Sequence, residues 1–213
     1  MMRKVFDKEL AMLNTRLIEM GDLCVEGIDM AIEVLFNREN IESKVQLIHT
    51  VERDTDRKER DIEDLCVNMI LRQQPVAKDL RIISAALRMI ADMERIGDQV
   101  ADIADIAQKL ESGEIFNLDT HIKDMANEVK GMVTNSIEAF VNKDVKMATD
   151  VVANDERVDQ LFVQIKSELL RVLYQDISKG QIVLDILMVA KYFERSVIML
   201  QMLLSGWNTL TNK

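Results

Sequence analysis

A chain of 213 residues is long enough for one large domain or two small ones with a true core. Only 4% of it is aromatic, with one Pro and seven Gly, and that scarcity of helix breakers predicts an almost wholly helical protein. A net charge of −10 argues against a nucleic-acid binder, which needs basic surface to displace counterions.

Six long helices are predicted in chain order. The first spans about 4–36 and stops at the polar "NREN". The opening "MMRKVFDKEL" carries acids and lacks an apolar h-region, so it is not read as a secretion signal. The second helix spans about 41–72 and is closed by "RQQPVAKD", where Pro75 cannot continue a helix. The third starts near Ala77 and ends at "ESGE", with Gly113 as the expected stop. Three more cover roughly 118–141, 144–175 and 181–206, the last break being "QDISKGQ". Within the sixth, "IVLDILMVA" is too short for a membrane span and carries Asp185; Trp207 is expected to anchor its end. Cys24 and Cys66 form neither a disulfide framework nor a ligand cluster, which fits two half-buried thiols in a reducing cytoplasm.

The helices come as two triplets. "IEVLFNRE" at 32–39 matches "IEAFVNKD" at 137–144, an offset of 105. "ERDTD" at 52–56 matches "DERVD" at 155–159, an offset of 103, and "LRMIADMER" at 87–95 aligns with "LMVAKYFER" at 187–195, an offset of 100. Loop-length differences between similar triplets produce such shrinking offsets. The expected fold is therefore all-α: two tandem three-helix bundles of antiparallel helices, one over 1–112 and one over 117–213, forming one compact unit.

Acids interrupt two of the packing seams. On the second helix the three-and-four spacing runs through Val45, Ile48, Glu52, Thr55, Glu59, Ile62, Cys66 and Met69, with Asp56 one turn from Glu52. On the third it runs through Leu80, Ile83, Leu87, Ile90, Glu94, Gly97, Ala101 and Ala104, with Asp98 one turn from Glu94. A short turn at Pro75 sets residues equidistant from it face to face: Glu94 and Asp56 are each 19 residues away, Asp98 and Glu52 each 23. Glu52, Asp56, Glu59, Glu94 and Asp98 are thus expected on one level between the two helices.

Bare anions at that level would be costly, because two unit charges about 4 Å apart repel by about 4 kcal/mol at an effective dielectric of 20. Relief comes from protonation with raised, coupled pKa values or from cations. The all-oxygen donor set suits hard ions, and the expected cofactor is a divalent or ferric metal: Fe, Mg, Mn or Zn. Gly97 would make room for the ion and its waters. His49, one turn before Glu52, is a candidate sixth ligand. The competing reading is a solvated acidic face in a register off by one residue. Asp102, in line with Arg81, Arg88 and Arg95, reads as charged outer face, whereas Asp105 is ambiguous.

The second half repeats only part of this set. Asp155, Asp159 and Glu194 stand for Glu52, Asp56 and Glu94, but Phe162, Val197 and Ile198 replace Glu59, Gly97 and Asp98. This second set is expected to bind a cation weakly or not at all, with Arg157, Lys191 or Arg195 available to pair with the remaining carboxylates.

"ERIGD", preceded by "QPVAKDLR" at 74–81 and "ERDTDRKE" at 52–59, resembles the PhoU family of phosphate-uptake regulators, as do "VFDKEL" and "MGDLCVEG" in the first helix. The resemblance covers essentially the whole chain, and it implies paired three-helix bundles carrying metal clusters on Glu/Asp-xxx-Asp motifs. The first cluster falls on Glu52, Asp56, Glu94 and Asp98. The second would fall on Asp155, Asp159 and Glu194, where Val197–Ile198 replaces the glycine–aspartate pair.

By the same resemblance the protein is a cytoplasmic, non-enzymatic negative regulator between a phosphate ABC transporter, through its ATPase, and a sensor histidine kinase. It would be at most peripheral to the membrane and able to form a homodimer. Two other functions compete: an accessory adaptor of a different phosphate permease, and a carboxylate-bridged metal enzyme. Against the enzyme, the sequence has no Glu-x-x-His pair of the ferritin-like kind and no phosphate-cradling glycine loop.

Overall fold

The computed structural model describes the backbone of residues 2–110, 119–153 and 155–211, and side chains over 4–110, 121–151, 153 and 156–196. Its helices are α1 (Met2–Phe36), α2 (Ile41–Gln73), α3 (Ala77–Lys109), α4 (Asp119–Asn142), α5 (Val145–Ala153), α6 (Asp155–Gln175) and α7 (Gly180–Thr211). There is no strand among the described residues. The six expected rods are present, with α5 and α6 together occupying the place of the fifth. The expected stop at Gly113 lies outside the described residues, as do the side chains of Asp155, Val197, Ile198 and Trp207.

Tight turns separate the rods. Asn40, Gln74 and Lys143 adopt positive φ (55°, 47° and 56°), the left-handed geometry that ends or redirects a helix within one residue. Gln74 is the C-cap of α2, and Pro75 directly after it prevents any return to the helical path. Before α7, Asp176 accepts a hydrogen bond from the Ser178 amide and caps the short 3-10 turn Ile177–Lys179.

Helical periodicity builds the core. On α1 the fully buried residues Leu13, Leu17, Met20, Cys24, Ile28, Ala31 and Leu35 step by three and four along one face. Arg16 donates to the Asp61 carbonyl at 2.8 Å and Lys44 pairs with Glu33 at 2.8 Å, which fixes α1 antiparallel to α2. The thiol of Cys24, donating to the Met93 carbonyl at 3.4 Å, sets α3 alongside. Burial pushes that thiol up to about 12, so it stays protonated and inert.

The two triplets pack antiparallel to one another. Lys130 pairs with Asp29, and a Cβ on Gly21 would lie only 2.0 Å from Ile137 Cδ1, so glycine lets α4 cross close against α1. On the other side Ser196 donates to Gln99 at 2.5 Å, and Tyr192 hydrogen-bonds Asp102. Rising residue numbers on α3 therefore meet falling numbers on α7. The α2–α3 and α6–α7 hairpin tips consequently point to opposite ends of the molecule.

Candidate metal centre

The acids of α2 and α3 meet because two small residues let the helices close. Thr55 is buried, and its hydroxyl donates back to the Val51 carbonyl at 2.9 Å. Opposite it lies Gly97, where a Cβ would stand 3.3 Å from Thr55 Cγ2. The glycine thus makes room for Thr55 rather than for an ion and its waters, contrary to the sequence expectation. Its effect on the carboxylates is indirect: it sets the helix spacing that brings them within reach. Gly97→Leu is expected to overpack this crossing and cost about 1–3 kcal/mol, more than the ~1 kcal/mol gained from better helix propensity. Urea unfolding would measure the difference.

Glu52 and Asp56 on α2 and Asp98 on α3 each offer a carboxylate oxygen, and these oxygens lie within 4.8 Å of one another. Glu59 and Glu94 border this trio closely enough for their charges to be felt. Burial, then Asp56 and Asp98, raise the pKa of Glu52. Burial, then Asp98, Glu59 and Asp56, raise Glu94. Burial, then Glu63, Asp56 and Asp98, raise Glu59, and burial followed by Asp56 and Asp102 raises Asp98. Arg60 reaches Asp56 only at 3.9 Å from an exposed position.

The cluster is not in the core, as the seam reading placed it, but on its rim. Glu52, Asp56, Glu59 and Glu94 are half-buried and Asp98 is exposed, so solvent and ions reach the site. Acceptor-only oxygens, mutually repelling and accessible, fit a hard cation; no soft ligand is part of the trio.

A raised folded pKa means that the folded state holds its protons more tightly than the unfolded chain. For these four groups stability is therefore fullest below the unfolded carboxyl value, roughly pH 4, and declines as pH rises through the raised folded values. The Glu52→Gln/Asp98→Asn double variant is expected to lose the part of that decline due to Glu52 and Asp98 and to keep the part that burial of Glu59 and Glu94 causes. In chelator-treated samples its melting temperature should exceed that of the parent near neutral pH and converge with it in acid.

Other candidate residues are engaged elsewhere. His49 Nε2 hydrogen-bonds Asp105 at 3.0 Å, which gives Asp105 a role and turns the imidazole to a second acid on α3. Asp102, expected on a charged outer face, is exposed and also hydrogen-bonds Tyr192 of α7. His121 Nδ1 pairs with Glu168 at 3.1 Å. Asp92, which has no role among the sequence expectations, is half-buried, and burial pushes it up to about 6 against the opposing Arg95. Its position beside the core-facing Met93 was the available signal.

In the second half Glu194 is held by Lys191 Nζ at 2.6 Å, and the same ammonium lies 5.3 Å above the Phe162 ring. A lysine supplies the positive charge there, while Phe162, replacing Glu59, supplies a π face. Asp159 is exposed. Arg157 reaches Glu128 at 4.0 Å, so of the cations expected to serve Glu194 it is Lys191 that does.

This architecture has relatives. The PhoU domain family matches residues 17–107 and 122–196, both halves of the repeat. The phosphate-specific transport system accessory protein PhoU homolog of Clostridium acetobutylicum is 33% identical over 92% of this chain and 89% of its own length. The corresponding Aquifex aeolicus protein is 34% identical over 88% and 84%. The crystal structure of PhoU from Pseudomonas aeruginosa superposes with a TM-score of 0.88 at 26% identity, covering 97% of this chain and 99% of that one.

Proposed function

Because this chain belongs to the PhoU family, we propose that it is a non-catalytic accessory regulator of phosphate-specific transport. In this reading it acts in the cytoplasm as a negative modulator, between the ATPase of a phosphate ABC transporter and a sensor histidine kinase. The names of its relatives, accessory proteins of a phosphate-specific transport system, support the transport role.

The observation that carries the mechanism is the carboxylate trio Glu52, Asp56 and Asp98 within 4.8 Å, drawn from two helices whose spacing Gly97 sets. A divalent or ferric ion would be held by that trio, with Glu59 and Glu94 completing its surroundings. The metal supplies positive charge, and with it a bond between α2 and α3 that the bare carboxylates oppose. The exposed face of this hairpin would then have one geometry when metal is bound and a looser one without it. Partner affinity follows from the difference between those states.

Elemental analysis of protein purified without chelators, paired with co-purification of the transporter ATPase, tests both steps. Asp98→Asn is expected to lower metal content and ATPase capture together. Metal loss with unchanged capture would separate the ion from partner binding and end the coupling.

A further inference from the structure

We propose that the tip of the α2–α3 hairpin docks on an anionic lipid surface. At this tip Leu71 is 73% exposed, Val76 64% and Leu80 45%. The seam reading placed Leu80 in the core; in the structure the buried stripe of α3 begins beyond it, apart from Asp79, and Leu80 projects with the turn. Exposed aliphatic side chains are common on this chain; those at this tip differ in the charge that accompanies them.

The charge at this end is opposite to that of the molecule. From Leu71 to Arg81 the chain carries Arg72, Lys78 and Arg81 against one acid, Asp79, and Asp79 is buried. Arg72 and Lys78 are exposed. The register of α1, fixed by the Arg16–Asp61 and Lys58–Glu19 contacts, brings its first turns to the same end. Those turns add exposed Lys4, Lys8 and Val5 against exposed Asp7 and half-buried Glu9, which leaves the end net positive.

Along α2 and α3 distance insulates the tip from the acidic remainder. Along α2 the first acid below Leu71 is Asp64, seven residues away and about 10 Å at 1.5 Å per residue. Along α3 Asp92 lies twelve residues beyond Leu80, about 18 Å away. Both separations exceed a Debye length of about 8 Å at physiological ionic strength. A convex basic end with projecting aliphatic groups complements a phospholipid headgroup layer: cations meet phosphates while the aliphatic chains enter the interface. The "QPVAKDLR" segment thereby acquires a role separate from the carboxylates, which it does not contribute to.

The opposite hairpin tip is an internal control. There Tyr174 and Ile177 are 88% and 85% exposed, but Arg171 and Lys179 are balanced by Asp176 and Asp185. It is apolar without being basic.

Co-sedimentation with vesicles of phosphatidylcholine, with and without phosphatidylglycerol, tests the proposal on the 213-residue chain. Binding is expected only with phosphatidylglycerol and should weaken as salt is raised. Arg72→Glu/Lys78→Glu should weaken it by on the order of 100-fold or more, and Leu71→Asp/Val76→Asp should abolish it. Tyr174→Asp should leave it unchanged. All of these positions are exposed, and helical circular dichroism would confirm that each variant folds. Absent binding, equal binding to neutral vesicles, or wild-type binding by the α2–α3 tip variants would each overturn the assignment. Loss of transporter capture by the tip variants, without any vesicle binding, would likewise overturn it and make the tip a protein contact.

Discussion

Metal saturation is expected to raise the melting temperature by roughly 5–10 °C over chelator-treated protein, and Asp98→Asn to remove most of that rise. A ligand at about 100 times its dissociation constant stabilises the state that binds it by about 2.7 kcal/mol. For a chain of this size each kcal/mol moves the midpoint by about 2–4 °C. The same substitution should act in the opposite direction without metal. Asp98 is raised by burial and by Asp56 and Asp102, so replacing its carboxylate with an amide removes repulsion from the trio. A group that destabilises the free protein yet stabilises the loaded one is the signature of a ligand. A merely solvated acidic face would give coincident melting curves with and without metal, and that result would refute the site. Titrating Mg, Mn, Zn and Fe separately, with melting followed by circular dichroism, would also rank the ions.

Much of this was readable in the sequence, and the errors share one cause. The α2 seam placed Val45, Ile48, Thr55, Ile62, Cys66 and Met69 in the interior, and all are buried. It also placed Glu52 and Glu59 there, and both are only half-buried. A seam describes two helices, whereas each helix of a triplet packs on two others. The third helix, α1, pulls the buried stripe round to include Val51 and Leu65 on α2, and Met89, Met93, Ile96 and Val100 on α3. The acids are left at the edge of that wider stripe. Equidistance from Pro75 nonetheless paired Asp98 with Glu52 correctly, because it depends on turn position and not on which neighbour wins the interior.

Glycine was misread for a similar reason. A small residue beside two acids suggests space for a ligand, but the space at Gly97 belongs to the buried Thr55. Thr55 stood in the same seam, and its β-branched methyl needed a facing hollow. Lys191 in the second half shows the other side of legibility. Once Phe162 replaced Glu59, the sequence offered three cations for the leftover carboxylate, and only the spacing of three residues on one helix face favoured the one that pairs with Glu194.

Phe193→Ala is expected to cost about 3–5 kcal/mol and to lower the melting point of the whole molecule through one transition. Phe193 is 1% exposed on α7, in the buried core to which α6 contributes Val158, Leu161 and Ile165, so its removal leaves a cavity on the side of the second triplet. The consequence for the metal half depends on whether the triplets unfold together. Buried residues of both belong to one continuous apolar cluster, and the Gln99–Ser196 hydrogen bond crosses between them within it. Unfolding the second triplet alone would expose the faces of α1 and α3 that α4 and α7 cover. Calorimetric and van't Hoff enthalpies should therefore agree for the parent and for the variant. The metal-induced rise in stability should survive in Phe193→Ala, because the substitution removes none of the carboxylates that would hold the ion. A split endotherm, with only its upper part responding to metal, would instead mean that the repeat consists of two independent domains. In that case ion binding in the first triplet has no mechanical route to the second, and any partner of the second half would be insensitive to it.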